Sequence, residues 1–408
     1  MTILRLVVAC FLIPLSLPLV SHPGSPGARL QAGESAAADG YREDINGDGR
    51  VLVSDVISLL LLGRDDPADP RADYNGDGRY SVNDAIALLI NIMAGDLTPA
   101  DPGRDFRQEM RDLVMEISTW ARAVKPGFIV IPQNGHELLT ENGEESGTPA
   151  LAYIRAIDGV GREDLFYGYD EDDEATPGPD RDYMTAFMDL AVNNGLRVLV
   201  TDYCLTRSLV DDSYAQSAAR GYISFSADHR ELDDIPQYPP APYNLSDSDV
   251  SSLEEAKNFL YLLNPGAYIT RQSFIESISG TDFDVVITDL FYEGTDELTP
   301  GEVASLKVKA NGGSRLVIAY MSIGEAEDYR YYWQEGWEAA PPSWLAEENP
   351  DWPGNFKVRY WDEDWKEIIF GNPGSYLQKI IDTGFDGVYL DIIDAFEFFE
   401  EREEQTAE

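Results

Sequence analysis

Cysteine is nearly absent: the 408 residues hold two, Cys10 and Cys204. Cys10 lies in a leader-like apolar run, so loss of that run leaves Cys204 alone and excludes an intrachain disulfide. Histidine is as scarce, with His22, His136 and His229. None of the three pairs with a motif, so a zinc site is not expected, and His136 reads as a polar loop residue. There is no Gly-x-Ser-x-Gly elbow, no P-loop and no dinucleotide glycine fingerprint. Basic residues are short too: 30 Lys and Arg stand against 74 Asp and Glu, a net charge of −44. A field of that sign repels nucleic acid and anionic membranes, so neither is an expected partner. The same excess suits either solubility in salt or a cationic substrate.

Arg5 and the apolar run from Leu6 to Val20 read as a secretory signal over 1–21. The run is short for a membrane span, so no membrane insertion is expected. Residues 22–40 are rich in Gly, Ser, Ala and Pro and read as a flexible linker. A second linker covers 96–105, with Pro99 and Pro102.

Between the linkers one motif occurs twice. Asp44-Ile-Asn46-Gly-Asp48-Gly49 and Asp73-Tyr-Asn75-Gly-Asp77-Gly78 repeat at a spacing of 29 residues. Each has an acid at the twelfth loop position, Asp55 and Asp84. Calcium takes about six to eight oxygen ligands, supplied by side chains at positions 1, 3, 5 and 12 and a backbone carbonyl at 7, here Arg50 and Arg79. Gly49 and Gly78 stand where the loop must turn sharply. Two loops in register predict two bound Ca2+ ions and an extracellular setting, secreted or attached to a cell surface. Residues 54–60 and 83–89 follow the loops with apolar residues at helical spacing. The module 41–95 resembles a type I dockerin, a small all-α, EF-hand-like fold. The resemblance implies docking to a cohesin-type scaffold or surface protein. Dockerin positions 10 and 11, often Ser-Thr, are here Val53-Ser54 and Val82-Asn83, which leaves the partner open.

From about residue 106 the pattern changes. Eight short β-rich runs alternate with helical stretches, and most end in polar residues. They end near Asn134, Glu163, Asp202, Ala227, Leu263, Asp289, Glu325 and Asp391-Ile-Ile-Asp394. This predicts a (β/α)8 barrel over 106–408, an α/β fold whose site lies at the strand ends. A single carboxylate there is usually a cap or a loop hydrogen-bonder. Five or more converging ask for another explanation, since buried charge is costly unless paired or used.

Several runs resemble the glycoside hydrolase family 114 barrel related to endo-α-1,4-polygalactosaminidase. They are Ala319-Tyr-Met-Ser-Ile-Gly-Glu325-Ala-Glu327-Asp328-Tyr-Arg330, the stretch 349–362, Gly384-Phe-Asp-Gly-Val-Tyr-Leu-Asp391, Pro132-Gln-Asn134-Gly and Gly159-Val-Gly-Arg162-Glu163-Asp164. In the family the third of these runs precedes the fourth; here it comes last. The order implies a circular permutation, beginning at family strand five and ending after strand four. The old termini would be joined through the proline-rich stretch 232–252. This account requires Phe106 and Glu400 to lie side by side.

Glycoside hydrolysis needs two carboxyl groups flanking the bond. The resemblance implies that these are Asp391, as nucleophile or base, and Glu163, as acid, with no cofactor in the chemistry. A separation of roughly 5 Å would give retention, and roughly 6.5–9.5 Å inversion. Substrate contacts are expected from Asn134, Asp202, Asp289, Glu325, Asp394, Tyr320 and Arg162, with Tyr167, Tyr203 and Trp361 as further rings for sugar stacking; Arg162 and Arg330 are expected to position a carboxylate, the protein's own or a ligand's. The substrate so implied is a polysaccharide, one with amino sugars suiting the acidic chain. The alternative is a non-catalytic carbohydrate-binding barrel tethered by its calcium module, or an inert barrel.

Overall fold

The computed structural model describes residues 56–60, 81–94, 104–337 and 340–407. The chain divides into two compact units, 1–101 and 102–408. In the first, residues 56–60 are helical and a second helix covers Val82–Ala94. Val56 and Leu59, and likewise Ala85 and Leu88, stand three residues apart on one helix face, and the four form a buried core. The ligand positions Asp44, Asn46, Asp48, Arg50, Asp55, Asp73, Asn75, Asp77 and Arg79 lie outside the described residues, as do the leader and the first linker. Asp84 lies inside them. It is fully buried and accepts the Ser81 backbone N–H at 2.6 Å and the Ser81 hydroxyl at 3.2 Å. A carboxylate folded onto the first helical turn satisfies an N–H that has no partner within the helix.

The second unit opens with the helix Phe106–Val124. Asp105 caps it by accepting the Gln108 N–H, and Phe106, Met110, Leu113, Val114, Ile117 and Ala121 form its buried stripe. Each of the eight expected runs contains a parallel strand. They are β1 (Ile129–Pro132), β2 (Gly159–Glu163), β3 (Arg197–Tyr203), β4 (Ile223–Ala227), β5 (Phe259–Tyr261), β6 (Val285–Asp289), β7 (Leu316–Ser322) and β8 (Gly387–Asp391). Their middles are largely buried, with runs of Val, Ile and Leu in β1, β3, β6 and β7, as parallel strands covered by helices require.

One sheet has the order β1-β8-β7-β6-β5, and a second has β2-β3-β4. The two meet at β1 and β2, where Gln133 bridges to Gly161 in parallel and the Asn134 N–H donates to the Gly161 carbonyl at 2.9 Å. At the other edge β4 lies beside β5, with Phe225 and Phe259 ring centroids 5.8 Å apart. Helices follow most strands, but β4 and β5 are joined by a long connection whose one regular piece is the 3-10 turn Leu253–Glu255. The buried Lys309 ammonium holds this connection down, donating to the Ser248 carbonyl at 2.6 Å and to Asp284 at 3.0 Å.

The last helix, Ala395–Ala407, lies against the first of this unit. Arg107 grips Glu400 with two bonds of 2.8 and 2.9 Å, and the Phe106 ring stacks on Phe399 at 5.6 Å. Phe106 and Glu400 are therefore side by side. Among the described residues no helix is long and apolar enough to cross a membrane.

Candidate active site

A cavity of about 690 Å3 opens at the carboxyl ends of the eight strands. Just past β1, β2 and β8 the backbone turns left-handed, at Asn134 (φ 61°), Asp164 (φ 56°) and Ile392 (φ 58°). Asn and Asp tolerate the left-handed region; a β-branched Ile there is strained and must be held by its surroundings. Each stands next to a residue that shapes the site: Gln133, Glu163 and Asp391.

Glu163 ends β2 and Asp391 ends β8, so both flank β1, and both line the cavity. Glu163 is surrounded by donors. Gln133 Nε2 and Asn134 Nδ2 (3.2 Å) reach its Oε2, and the Tyr203 hydroxyl reaches Oε1. Asp391 receives the Tyr320 hydroxyl at 2.7 Å. Burial first, and then the charge of Glu163, push Asp391 up to about 8, against the opposing effect of Tyr320. Two carboxyls facing one cavity cannot both ionise cheaply, and the one with fewer donors keeps the proton.

This shift has a measurable consequence. Between its ordinary 3.8 and about 8, Asp391 holds a proton in the folded state that the unfolded chain has released. Its contribution to stability is therefore complete below pH 4 and lost as pH rises through 8. Asp391→Asn removes that loss. The variant should melt about 2–4 °C above the parent at pH 8.5–9, with the gap closing toward pH 4.5 in calorimetric scans. An equal gap at both pH values would refute it.

A second cluster forms another part of the cavity lining. Arg330, 4% exposed, donates to Glu327 at 2.6 and 3.1 Å and pairs with Asp289 at 2.8 Å. Burial opposes its charge, but Asp289 and Glu327 outweigh burial and hold it well above its usual range. The Phe291, Tyr329 and Tyr376 rings surround the guanidinium at 5.5, 5.1 and 5.7 Å. Glu325 lines the cavity as well, fixed by Lys357 at 2.6 Å and Asn349 at 2.8 Å. Burial raises Asp394, with Arg162 and Lys357 opposing.

Of the expected substrate contacts, Asn134, Asp289, Glu325, Asp394 and Tyr320 line the cavity with the two carboxyls; Asp202 and Arg162 do not. Successive strand residues face opposite ways. Tyr203 points to Glu163, so its neighbour Asp202 turns outward and is fully buried. There it accepts the Phe166 and Tyr167 N–H groups at 2.9 and 3.3 Å and the Ser213 hydroxyl at 2.6 Å. Arg162 turns away from Glu163 in the same manner and meets Asn134 Oδ1 at 3.3 Å. Tyr167 bonds Asp212, and Trp361 packs on Phe106 and Phe399, both away from the cavity. His136, read as a polar loop residue, opens the 3-10 turn His136–Leu139 and is buried against Tyr183 and Phe187, and burial holds it well below its usual value.

Sequence reasoning gave no role to Gln133, Tyr261, Glu327, Arg230 or Trp352, all of which line the cavity. Gln133, Glu327 and Trp352 lay inside quoted motifs; Tyr261 and Arg230 did not. Trp352, 58% exposed at the cavity mouth, offers a flat indole face of the kind on which sugar rings stack. Arg230 caps the Tyr203 ring at 4.2 Å and pairs with Asp164 and Asp172 at 3.0 and 2.8 Å.

Residues 250–407 match the model of a family described as glycoside-hydrolase family GH114. The matched segment carries β5 to β8 and Asp391; β1 to β4 and Glu163 precede it. An uncharacterized protein of Methanocaldococcus jannaschii is 39% identical over 181 residues, 44% of this chain and 49% of that protein. One of Thermotoga maritima is 45% identical over 124 residues, covering 30% and 36%. One of Deinococcus radiodurans is 42% identical over 137 residues, covering 34% and 42%. The chain thus spans half or less of the length of these curated relatives.

Proposed function

We propose that this chain is a glycoside hydrolase of the family that its C-terminal part matches, cleaving a polysaccharide with the carboxyl pair Glu163 and Asp391. The observation that carries the reading is the pair itself. One carboxyl is held by three donors and its neighbour is kept protonated by burial and by the first one's charge. Glycoside hydrolysis needs one carboxylate and one carboxylic acid across a single site.

The donor pattern favours an assignment opposite to the one the family resemblance implies. Asp391 holds the proton and gives it to the leaving oxygen. Glu163, held in place by Gln133, Asn134 and Tyr203, attacks the anomeric carbon or activates water. Acidic residues far outnumber the two arginines in the cavity lining, which suits a substrate bearing protonated amines.

The strand order supports a closed (β/α)8 barrel, β1 to β8 in sequence around a ring, which is circularly permuted. The α-helix missing between β4 and β5 and the two terminal helices packed together are what a permuted barrel would show. In the test, the purified chain meets amino-sugar and neutral polysaccharides, and new reducing ends are counted. Cleavage of the amine-bearing polymer, absent in the double variant Glu163→Gln/Asp391→Asn, supports the reading. No cleavage of any polymer, or equal cleavage by the double variant, sinks it.

We also propose that the module 41–95 binds two calcium ions and acts outside the cell, docking its barrel to a cohesin-type protein. The paired loops and the burial of Asp84, the acid at the twelfth position of the second loop, support this. Its ligand oxygens would bring two dications to an acidic segment and add their binding energy to folding. Chelation should abolish a calcium-dependent melting step of this unit, and Asp44→Ala/Asp73→Ala should remove it permanently. A melting profile indifferent to chelator would exclude the ions.

A further inference from the structure

Gln133 is 3% exposed, yet it carries a polar amide at the end of a strand. A buried amide is costly unless its oxygen and nitrogen both find partners. Its Oε1 accepts the Tyr261 hydroxyl at 2.9 Å, and its Nε2 donates to Glu163. Tyr261 is 1% exposed, and burial, with the charge of Asp391 adding, lifts its hydroxyl well above its usual range. The phenol therefore keeps its proton and stays a donor. That fixes the amide: with Oε1 taken by the phenol, Nε2 must face the carboxylate. The flipped amide would set a carbonyl against Glu163 and a nitrogen against the phenol proton.

The backbone is fixed as well. The Gln133 N–H donates to the Leu390 carbonyl at 2.8 Å, and Gln133 bridges to Gly161 on the other side. Gln133 is thus clamped between β8 and β2, the strands that carry the two carboxyls. Deeper in the same interior Tyr389 packs edge-on to Tyr261 at 5.2 Å. Gly161 leaves room for it, since a Cβ there would come 1.9 Å from the Tyr389 hydroxyl. Apolar packing alone would be met by Leu or Met at 133; an amide paired at both ends is a directional device.

We propose that Tyr261 and Gln133 form a relay that positions the Glu163 carboxylate toward the cavity, making Gln133 and Tyr261 positioning residues for the reaction. The inference rests on the reading of Glu163 as one of the two reacting groups. Positioning acts on turnover more than on binding, because a misplaced carboxylate still leaves the rest of the cavity to hold the substrate.

The test uses the full chain, with Gln133→Met, Tyr261→Phe and the pair combined. The first readout needs no substrate. If the two residues act as one relay, Tm falls with each single change and the double variant falls clearly less than the sum. Additive losses overturn the relay. Tyr261→Phe removes one oxygen and keeps the ring, so it remains informative even if Gln133→Met folds poorly; an unchanged Tm for Tyr261→Phe also overturns it. The second readout is kinetic. Gln133→Met should lower kcat by about 100-fold with KM within about twofold, and Tyr261→Phe should lower kcat in the same direction by less. Unchanged kcat, or a loss carried by KM, overturns the positioning role. Coupled Tm losses in a chain that cleaves no glycan would instead leave the relay standing and remove the hydrolase reading.

Discussion

Glu163→Gln and Asp391→Asn should each lower polysaccharide turnover by about 1000-fold or more, with circular dichroism unchanged. Both are isosteric exchanges at groups whose neighbours can still donate or accept. The two variants should differ in kind. An aryl glycoside with a good leaving group needs little protonation, so Asp391→Asn should regain much of its rate on it. Glu163→Gln should stay inactive, because no leaving group replaces the missing attack or base. The reverse pattern would exchange the two roles and restore the assignment that the family resemblance implies. Near-normal turnover of the polysaccharide by either variant would end the two-carboxyl mechanism. In the parent, turnover should also fall as pH rises through about 8, where the proton on Asp391 is lost.

The second large effect is on stability. Arg330→Met should cost about 3–5 kcal/mol, because it leaves Asp289 and Glu327 buried without their counter-charge. The expected reading is a Tm at least about 5 °C lower at pH 7, or failure to express in soluble form. Removing the whole cluster, Arg330→Met with Asp289→Asn and Glu327→Gln, should restore much of the loss, since no uncompensated charge remains. A single variant as stable as the parent would show that water reaches these carboxylates and screens them.

Much of this was readable along the chain, for local reasons. The runs holding β1, β3, β6 and β7 show their strands through consecutive Val, Ile and Leu, because parallel strands bury both faces. The acids ending β2, β6 and β8 stand out because strand ends are where such a sheet can tolerate charge. The adjacency of Phe106 and Glu400 was expected from the order of motifs alone, and Arg107 and Phe399 supply it.

Other features were hidden for equally definite reasons. Asp202 and Glu163 look alike in sequence, but the pleat sends one to the helix layer and the other to the cavity. A shift of one residue in where a strand ends reverses that choice. Arg330 reads in sequence as a residue that positions a carboxylate, but not as one buried between two acids, because Asp289 reaches it from β6, the strand paired with β7. Gln133 appeared as part of a motif, without the phenol of Tyr261 that gives its amide a direction.

Composition, strand-end acids and the order of motifs established an acidic α/β protein with its polar residues gathered at one end of the strands, since each depends on neighbours in the chain. Folding decided which of two carboxyls keeps a proton. That depends on how many donors reach each group and how much water is shut out, and those partners come from strands far apart in the sequence.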